Sequence, residues 1–484
     1  MISKKFIRNS VIYTIAGSLP LASAIILLPF YIKYLSADVY GALALYMGFA
    51  LLIQILISYS FDGSIYVYFH DFKNDKAKLN LFVSSIFIFV LIISLVIAII
   101  FLIFGGWIFE QVFPEIKILF FPYGLISVAT GIFQGFFKIN SSLLQTQEKA
   151  SSFLWLNLVS FTLIAIFTIG GLYFFPNDLL GPIVGRFVAV AFTGLIVLIG
   201  IYRQFGFRFN FGLLKSTLSF NHPSFGYQII QWFNGYYDKV LMTLYMPIAQ
   251  IGIYDFASKC LLAIEFALAG LYNSFFPKVL GMVALQTEKK TTIEINRYYN
   301  GLTAITILLV GFCIFLFPVV IEWFVTQFDK VGYLASIQWI PFLAVTYLLR
   351  SIRFYAVMPY AAIKYQKPLP LFYLLIFGVK LGGMLLLIPN YGIMGVIIST
   401  WISYFVEVAV LYFGIRRKFS FKVNIFKTFV APLLMASLVT VAEPLFGIQN
   451  SLLTHGAYII FGITVLAWGY RNEVKVFQLS KLIK

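Results

Sequence analysis

Long runs of apolar residues, interrupted at regular intervals by short polar clusters, set the pattern of this chain. Each run is long enough for a helix that crosses a bilayer, which takes about 20 residues. The pattern predicts about fourteen such helices. The first six cover roughly 11–32, 41–61, 80–104, 117–137, 153–175 and 181–202. The next six cover roughly 218–245, 251–275, 298–318, 333–353, 369–388 and 392–414, and a last pair covers roughly 426–446 and 453–470. Pro176-Asn177-Asp178 and Pro389-Asn390-Tyr391 read as short turns between neighbouring spans, because these residue types end helices. The first run is preceded by Lys4, Lys5 and Arg8, as in a signal peptide. It is nevertheless long enough to span and carries no small-residue cleavage site, so it reads as a retained first helix.

One stretch departs from this pattern. Asn221, Ser224, Gln228, Gln231, Asn234 and Asp238 recur at steps of three or four and so share one helical face. Hydrocarbon penalises such a face, so it must turn toward protein or a wet cavity. Polar contacts between helices would satisfy it, but so many polar groups on one helix favour the cavity. Charge continues beyond it, at Lys239, Asp255 and Lys259.

Composition agrees. Hydrophobic residues make up 61% of the 484 and charged residues 11%, with a mean hydropathy of +0.93. Soluble domains carry about 25% charged residues. The fold class is therefore an all-α polytopic membrane protein. Cys260 and Cys313 lie in apolar runs and predict no disulfide framework, and the scattered His70, His222 and His455 make no metal site.

Lys and Arg outnumber Asp and Glu by 35 to 18. With the amino terminus inside, 28 of those 35 cations fall in inside segments and three, Lys33, Lys117 and Lys330, in outside loops. The excess is thus a topology signal, with both termini cytoplasmic, and requires no nucleic-acid partner. Arg350 and Arg353 are counted here with the inside segments, as is Lys138. The remaining four, Arg186, Lys239, Lys259 and Lys380, fall within predicted spans. The acids at or near membrane depth are Asp62, Asp238, Asp255, Glu265 and Glu407.

The two halves resemble each other. The segments Tyr34–Gly41 and Tyr245–Gly252 match in kind at an offset of 211, the Gln147 and Gln366 segments at 219, and Pro176-Asn177 and Pro389-Asn390 at 213. A six-span unit repeated in parallel predicts lobes at 1–215 and 216–422, with 423–484 as an accessory pair, and a mid-membrane substrate site between the lobes.

Leu28-Pro29 with Leu35–Gly41 resembles the first- and second-helix signature of bacterial polysaccharide flippases. Asp238-Lys239 with Gly252, Ile253, Tyr254 and Lys259 resembles their seventh and eighth helices, and Ile388–Gly395 their turn before helix twelve. The family is the O-antigen-type (Wzx-type) flippases of the multidrug/oligosaccharidyl-lipid/polysaccharide exporter superfamily. The resemblance implies that an undecaprenyl-diphosphate-linked oligosaccharide moves from the inner to the outer leaflet of the bacterial plasma membrane. It also implies a proton or sodium ion as a coupling candidate, other polysaccharide-assembly membrane proteins as candidate partners, no catalytic residue and no cofactor.

Such a substrate joins an apolar tail, an anionic diphosphate and a polar glycan. Lys380, Lys239, Lys259 and Arg186 fit the diphosphate by charge, although Arg186 lies near a span end where it would also snorkel. Gln228, Gln231 and Asn234 fit sugar hydroxyls, and Asp238 and Asp255 are the ion-coupling candidates. Asp255 precedes Lys259 by one helical turn, an order that also favours simple pairing. The pairs Gly131/Gly135, Gly181/Gly185 and Gly378/Gly382 predict close helix packing. Two alternatives stay open, an organic-cation antiporter and a glycan-assembly enzyme such as a polymerase. Deep cations disfavour the first, and the lack of a long outside loop disfavours the second. No Gly-x-x-x-x-Gly-Lys-Ser/Thr loop is present for ATP.

Overall fold

In the computed structural model the apolar runs are helices, and no named strand occurs among the described residues. These residues are 23–446, except 73, 116–117, 287, 364 and 422–423, with isolated positions at 16–17, 19, 456, 460, 462–464 and 469–470. The expected fourteenth span and the first part of the expected first span therefore lie largely outside them.

The chain divides into two compact units, Met1–Asp255 and Phe256–Lys484. The first contains α1 (Ser23–Tyr34), α2 (Ala37–Ser58), α3 (Phe61–Phe72), α4 (Lys76–Val112) and α5 (Leu125–Thr146). It continues with α6 (Ala150–Phe174), α7 (Leu180–Phe205), α8 (Phe211–Met242) and most of α9 (Ile248–Cys260). The second contains α10 (Leu262–Ala284), α11 (Ile293–Phe328), α12 (Ile340–Ala362), α13 (Leu369–Tyr391), α14 (Ile393–Ile415) and α15 (Ala431–Phe446).

Nine helical runs among the described residues are long and apolar enough to cross a membrane. They correspond to the expected spans two to six and nine to twelve. Spans seven and eight are α8 and α9–α10; the polar stripe on α8 dilutes its hydropathy without shortening it. At 32 residues α8 is about 48 Å long, ample for a bilayer. The chain is a multi-pass membrane protein.

Local chemistry sets the helix starts. Ser36, Asp75, Asn210 and Thr292 each accept a backbone N–H two or three residues into their helices, at 3.5, 3.0, 3.3 and 3.2 Å. The Pro176-Asn177 turn does form: Asn177 has φ 57°, its side-chain oxygen accepts the Ser36 N–H at 2.7 Å, and its own N–H reaches Tyr34 O at 2.8 Å. Its counterpart differs. α13 runs through Pro389 to Tyr391 and ends at Gly392, whose φ of 54° suits a residue without a side chain.

Between helices in lipid there is little hydrophobic drive, so small residues decide packing. A Cβ at Gly181 would lie 2.2 Å from Gly171 O, which shows how closely α6 and α7 approach. Gly131 and Gly135 meet α2 in the same way, against Ala50 O and the Ile57 side chain. Gly41 and Gly252 pack against each other where α2 crosses α9. Gly378 and Gly382 do not follow the expected pattern; open space surrounds both on α13.

Two features were not anticipated. The second span breaks at Tyr59 and Ser60, both with left-handed backbone (φ 43° and 60°), and resumes as α3. The tenth span begins with a 3-10 segment at Val331–Trp339 and extends through α12 to Ala362. Arg350 and Arg353 are thereby inside the helix rather than in an inside loop. Lys138 likewise lies within α5.

Candidate functional site

The polar stripe of the sequence lies on one continuous helix. All six residues from Asn221 to Asp238 belong to α8, which packs on α2, α3 and α4. Asn221 and Asp238 are buried, and Ser224, Gln228, Gln231 and Asn234 are half-buried. Asn234 uses its side-chain NH2 on its own helix, donating to Ile230 O at 3.1 Å.

At the far end of the stripe the first unit holds a buried charge cluster. Lys239 Nζ lies 2.6 Å from Asp255 Oδ1, bringing α8 to α9. Asp238 accepts the Lys239 backbone N–H at 2.8 Å and the Tyr254 hydroxyl at 2.8 Å. The Lys239 ammonium also sits 4.9 Å from the centre of the Tyr236 ring. The sequence-predicted Lys239 and Asp255 thus neutralise each other, and an anion has to compete with Asp255 for the ammonium. Beside it, an aromatic cavity of about 240 Å³ opens among α2, α4 and α8, lined by Phe49, Phe109, Trp232, Tyr236 and the Lys239 stem. Trp232 is held in place by its indole N–H, which donates to Gly48 O at 2.9 Å. Arg186 is half-buried on α7, and the field of its charge reaches the buried Tyr31 hydroxyl, as does that of Asp255.

In the second unit, Lys380 is buried midway along α13 and Lys259 is half-buried on α9. A stronger cationic cluster is one the apolar pattern did not single out. Arg350 and Arg353 lie one turn apart on α12. Arg350 pairs with Glu265 of α10, and Arg353 Nε pairs with Glu407 Oε1 of α14 at 2.5 Å. The Arg353 guanidinium also lies 5.9 Å from the Tyr373 ring centre, on α13. The Arg350 Nε is buried without a partner, leaving one guanidinium donor uncommitted. The available signal was in the acids. Glu265 and Glu407 each stand in an apolar run, and an acid at that depth demands a cation. A second cavity, of about 410 Å³, lies among α12, α14 and the chain leading into α15, lined by Leu349, Tyr404, Phe405, Val408, Phe429 and Leu433.

Within the second unit, Arg350 and Arg353 can hold an anion in exchange for the carboxylates that neutralise them at rest. Guanidinium groups suit phosphoryl oxygens because their N–H groups form a planar fork.

Comparison with known proteins agrees with this architecture. A protein named for the Lsg locus of Haemophilus influenzae is 24% identical over 341 residues, covering 69% of this chain and 77% of its own. An uncharacterized membrane protein of the same organism is 24% identical over 285 residues, covering 56% and 64%. Among solved structures, the lipid II flippase MurJ in an inward closed conformation aligns with a TM-score of 0.71 at 18% identity, covering 98% of this chain and all of the other. An inward-facing multidrug resistance MATE family transporter of the MOP superfamily aligns at 0.62 and 14% identity, covering 91% and 100%. These likenesses establish the fold. The signature of the polysaccharide biosynthesis protein family matches residues 6–280, more than half the chain, and the chain belongs to that family.

Proposed function

We propose that this protein is a flippase that moves an undecaprenyl-diphosphate-linked oligosaccharide, a surface-polysaccharide repeat unit, from the inner to the outer leaflet of the bacterial plasma membrane. It works without making or breaking a covalent bond. The observation that carries the reading is the set of cations within helices of a polysaccharide-family membrane fold, above all Arg350 and Arg353. Arg186 and Lys239 of the first unit, and Lys259, Lys380, Arg350 and Arg353 of the second, receive the diphosphate. Gln228, Gln231 and Asn234 serve the glycan, and Asp238 and Asp255 are the candidates for a coupling proton or sodium ion.

The proposal includes lobes at 1–215 and 216–422 that rock to expose the site to either side, an accessory segment at 423–484, and cytoplasmic termini. Charge exchange supplies the physical logic. An incoming diphosphate competes with Glu265 and Glu407 for Arg350 and Arg353, so binding and the loosening of α10 and α14 from α12 are coupled. Depleting the protein in its producing cell tests the reading. The lipid-linked oligosaccharide should then accumulate while surface polysaccharide is lost, and an Arg353→Ala copy should fail to restore export. Normal surface polysaccharide in depleted cells rules the proposal out.

A further inference from the structure

The break in the second span brings together a cluster that the diphosphate does not account for. Tyr59 and Ser60 occupy left-handed backbone, a conformation that is unfavourable for residues with a side chain and that persists only where its surroundings hold it. The cluster around them comes from three helices. Asp62 Oδ2 lies 3.2 Å from Lys138 Nζ of α5. Lys138 also donates to Gln228 Oε1 of α8 at 2.9 Å, and Gln228 Nε2 donates to Ser60 Oγ at 3.1 Å. The Tyr59 hydroxyl and His222 Nδ1 share a hydrogen bond of 2.5 Å, and the Tyr59 ring lies 4.7 Å from that of Phe225, tilted by 34°.

The chemistry of the cluster indicates its ligand. The cluster's single ammonium, shared between the Asp62 carboxylate and the Gln228 amide, offers a diphosphate less than the two guanidinium forks of α12 do. The cluster instead presents a carboxylate, an ammonium, an amide and a hydroxyl within one chain of hydrogen bonds, and on the same bend a separate phenol–imidazole pair and a pair of aromatic faces. Donors and acceptors alternate, as needed to match adjacent hydroxyls on a ring, and the aromatic faces suit the apolar side of that ring. The cluster is also reachable. Lys138 is 30% exposed at its side chain, Tyr59, Gln228 and Phe225 are half-buried, and His222 is exposed.

Hydrogen-bonding capacity remains unused. Asp62 Oδ1 is buried with no partner, and so are both amide atoms of Asn221, a residue with no exposed surface at all. Buried polar atoms in native proteins are nearly always satisfied, so these unpartnered atoms, on the adjoining α3 and α8, leave bonding capacity there for something else to complete.

We infer that this break between α2 and α3, faced by α5 and α8, is a binding subsite for an uncharged saccharide ring. Asp62, Lys138, Gln228 and Tyr59 are its hydrogen-bonding contacts. The inference rests on the flippase reading and adds to it the place where the glycan, rather than the diphosphate, is recognised.

The test measures binding to the protein in nanodiscs with two probes. One is undecaprenyl diphosphate, and the other is the lipid-linked oligosaccharide extracted from cells depleted of this protein. The wild type should bind the glycan-bearing probe about tenfold more tightly, the gain expected from one or two net hydrogen bonds. Asp62→Asn and Gln228→Ala should abolish most of that preference and leave the affinity for undecaprenyl diphosphate within about twofold. Tyr59→Phe, which keeps the ring and removes only the hydroxyl, should lower the preference about threefold and guards against a folding defect in the other two. Equal weakening toward both probes, or no change toward either, assigns the cluster to helix packing and overturns the subsite. Equal wild-type affinity for the two probes also overturns it while leaving the flippase intact. A wild type that binds neither probe removes the flippase reading itself.

Discussion

Replacing Asp255 with Asn isolates the buried charge cluster of the first unit. Asp255 is 1% exposed, and its Oδ1 lies 2.6 Å from Lys239 Nζ. Asn leaves the ammonium without its nearest counter-charge. Asp238 compensates poorly, because its two oxygens already accept the Lys239 N–H and the Tyr254 hydroxyl. Removing one partner of a buried pair costs about 3–5 kcal/mol, since the remaining charge stays desolvated. Removing both is different. Lys239→Met with Asp255→Leu should restore stability to about the wild-type value or above it. Denaturant unfolding in micelles, followed by tryptophan fluorescence, reads both numbers; buried Trp232 lies on the same helix two turns away. An Asp255→Asn variant within about 1 kcal/mol of the wild type, the range of a solvated surface pair, refutes the burial argument. The double variant then asks a functional question. If it is stable but fails to transport, the Lys239–Asp255 pair acts in transport; if it transports normally, Lys239 leaves the proposed diphosphate set and Asp255 the coupling candidates.

Four further outcomes follow from particular contacts. Gly252→Ala should lower stability by about 1–3 kcal/mol in the same unfolding assay, because its Cβ would lie 2.1 Å from Ala37 O, a backbone atom that cannot swing away. Gly382→Ala, with nothing within 4 Å, should be nearly neutral or slightly stabilising. Arg353→Lys should keep the charge but lose the guanidinium fork between Glu407 and Tyr373, lowering export at least about tenfold in a complementation assay while expression holds. Thr292→Ala removes the cap that accepts the Ile295 N–H at 3.2 Å and should cost about 1 kcal/mol, measured by unfolding.

The spans were legible because an apolar run of bilayer length admits few other structures. What escaped the sequence depended on partners far along the chain. Tyr59 and Ser60 carry no helix-breaking signal, and nothing local announces that Asp62, Lys138 and Gln228 hold the bend. Arg350 and Arg353 looked like loop cations because the strongly apolar run ends near them. The helix continues to Ala362, and the acids that allow the arginines to be buried, Glu265 and Glu407, are supplied by α10 and α14. Gly378 and Gly382 show the opposite limit: small residues permit close approach but do not compel it, and among the described residues nothing lies within 4 Å of a Cβ at either.

The most direct measurement places the purified protein in liposomes and follows a fluorescent undecaprenyl-diphosphate-linked saccharide across the bilayer by the fraction accessible to an external quencher. The account predicts movement that scales with the amount of protein, leaves the lipid chemically intact, and is lost in Arg353→Ala. Movement no faster than in empty liposomes, or a saccharide that is cleaved or joined during the assay, contradicts it.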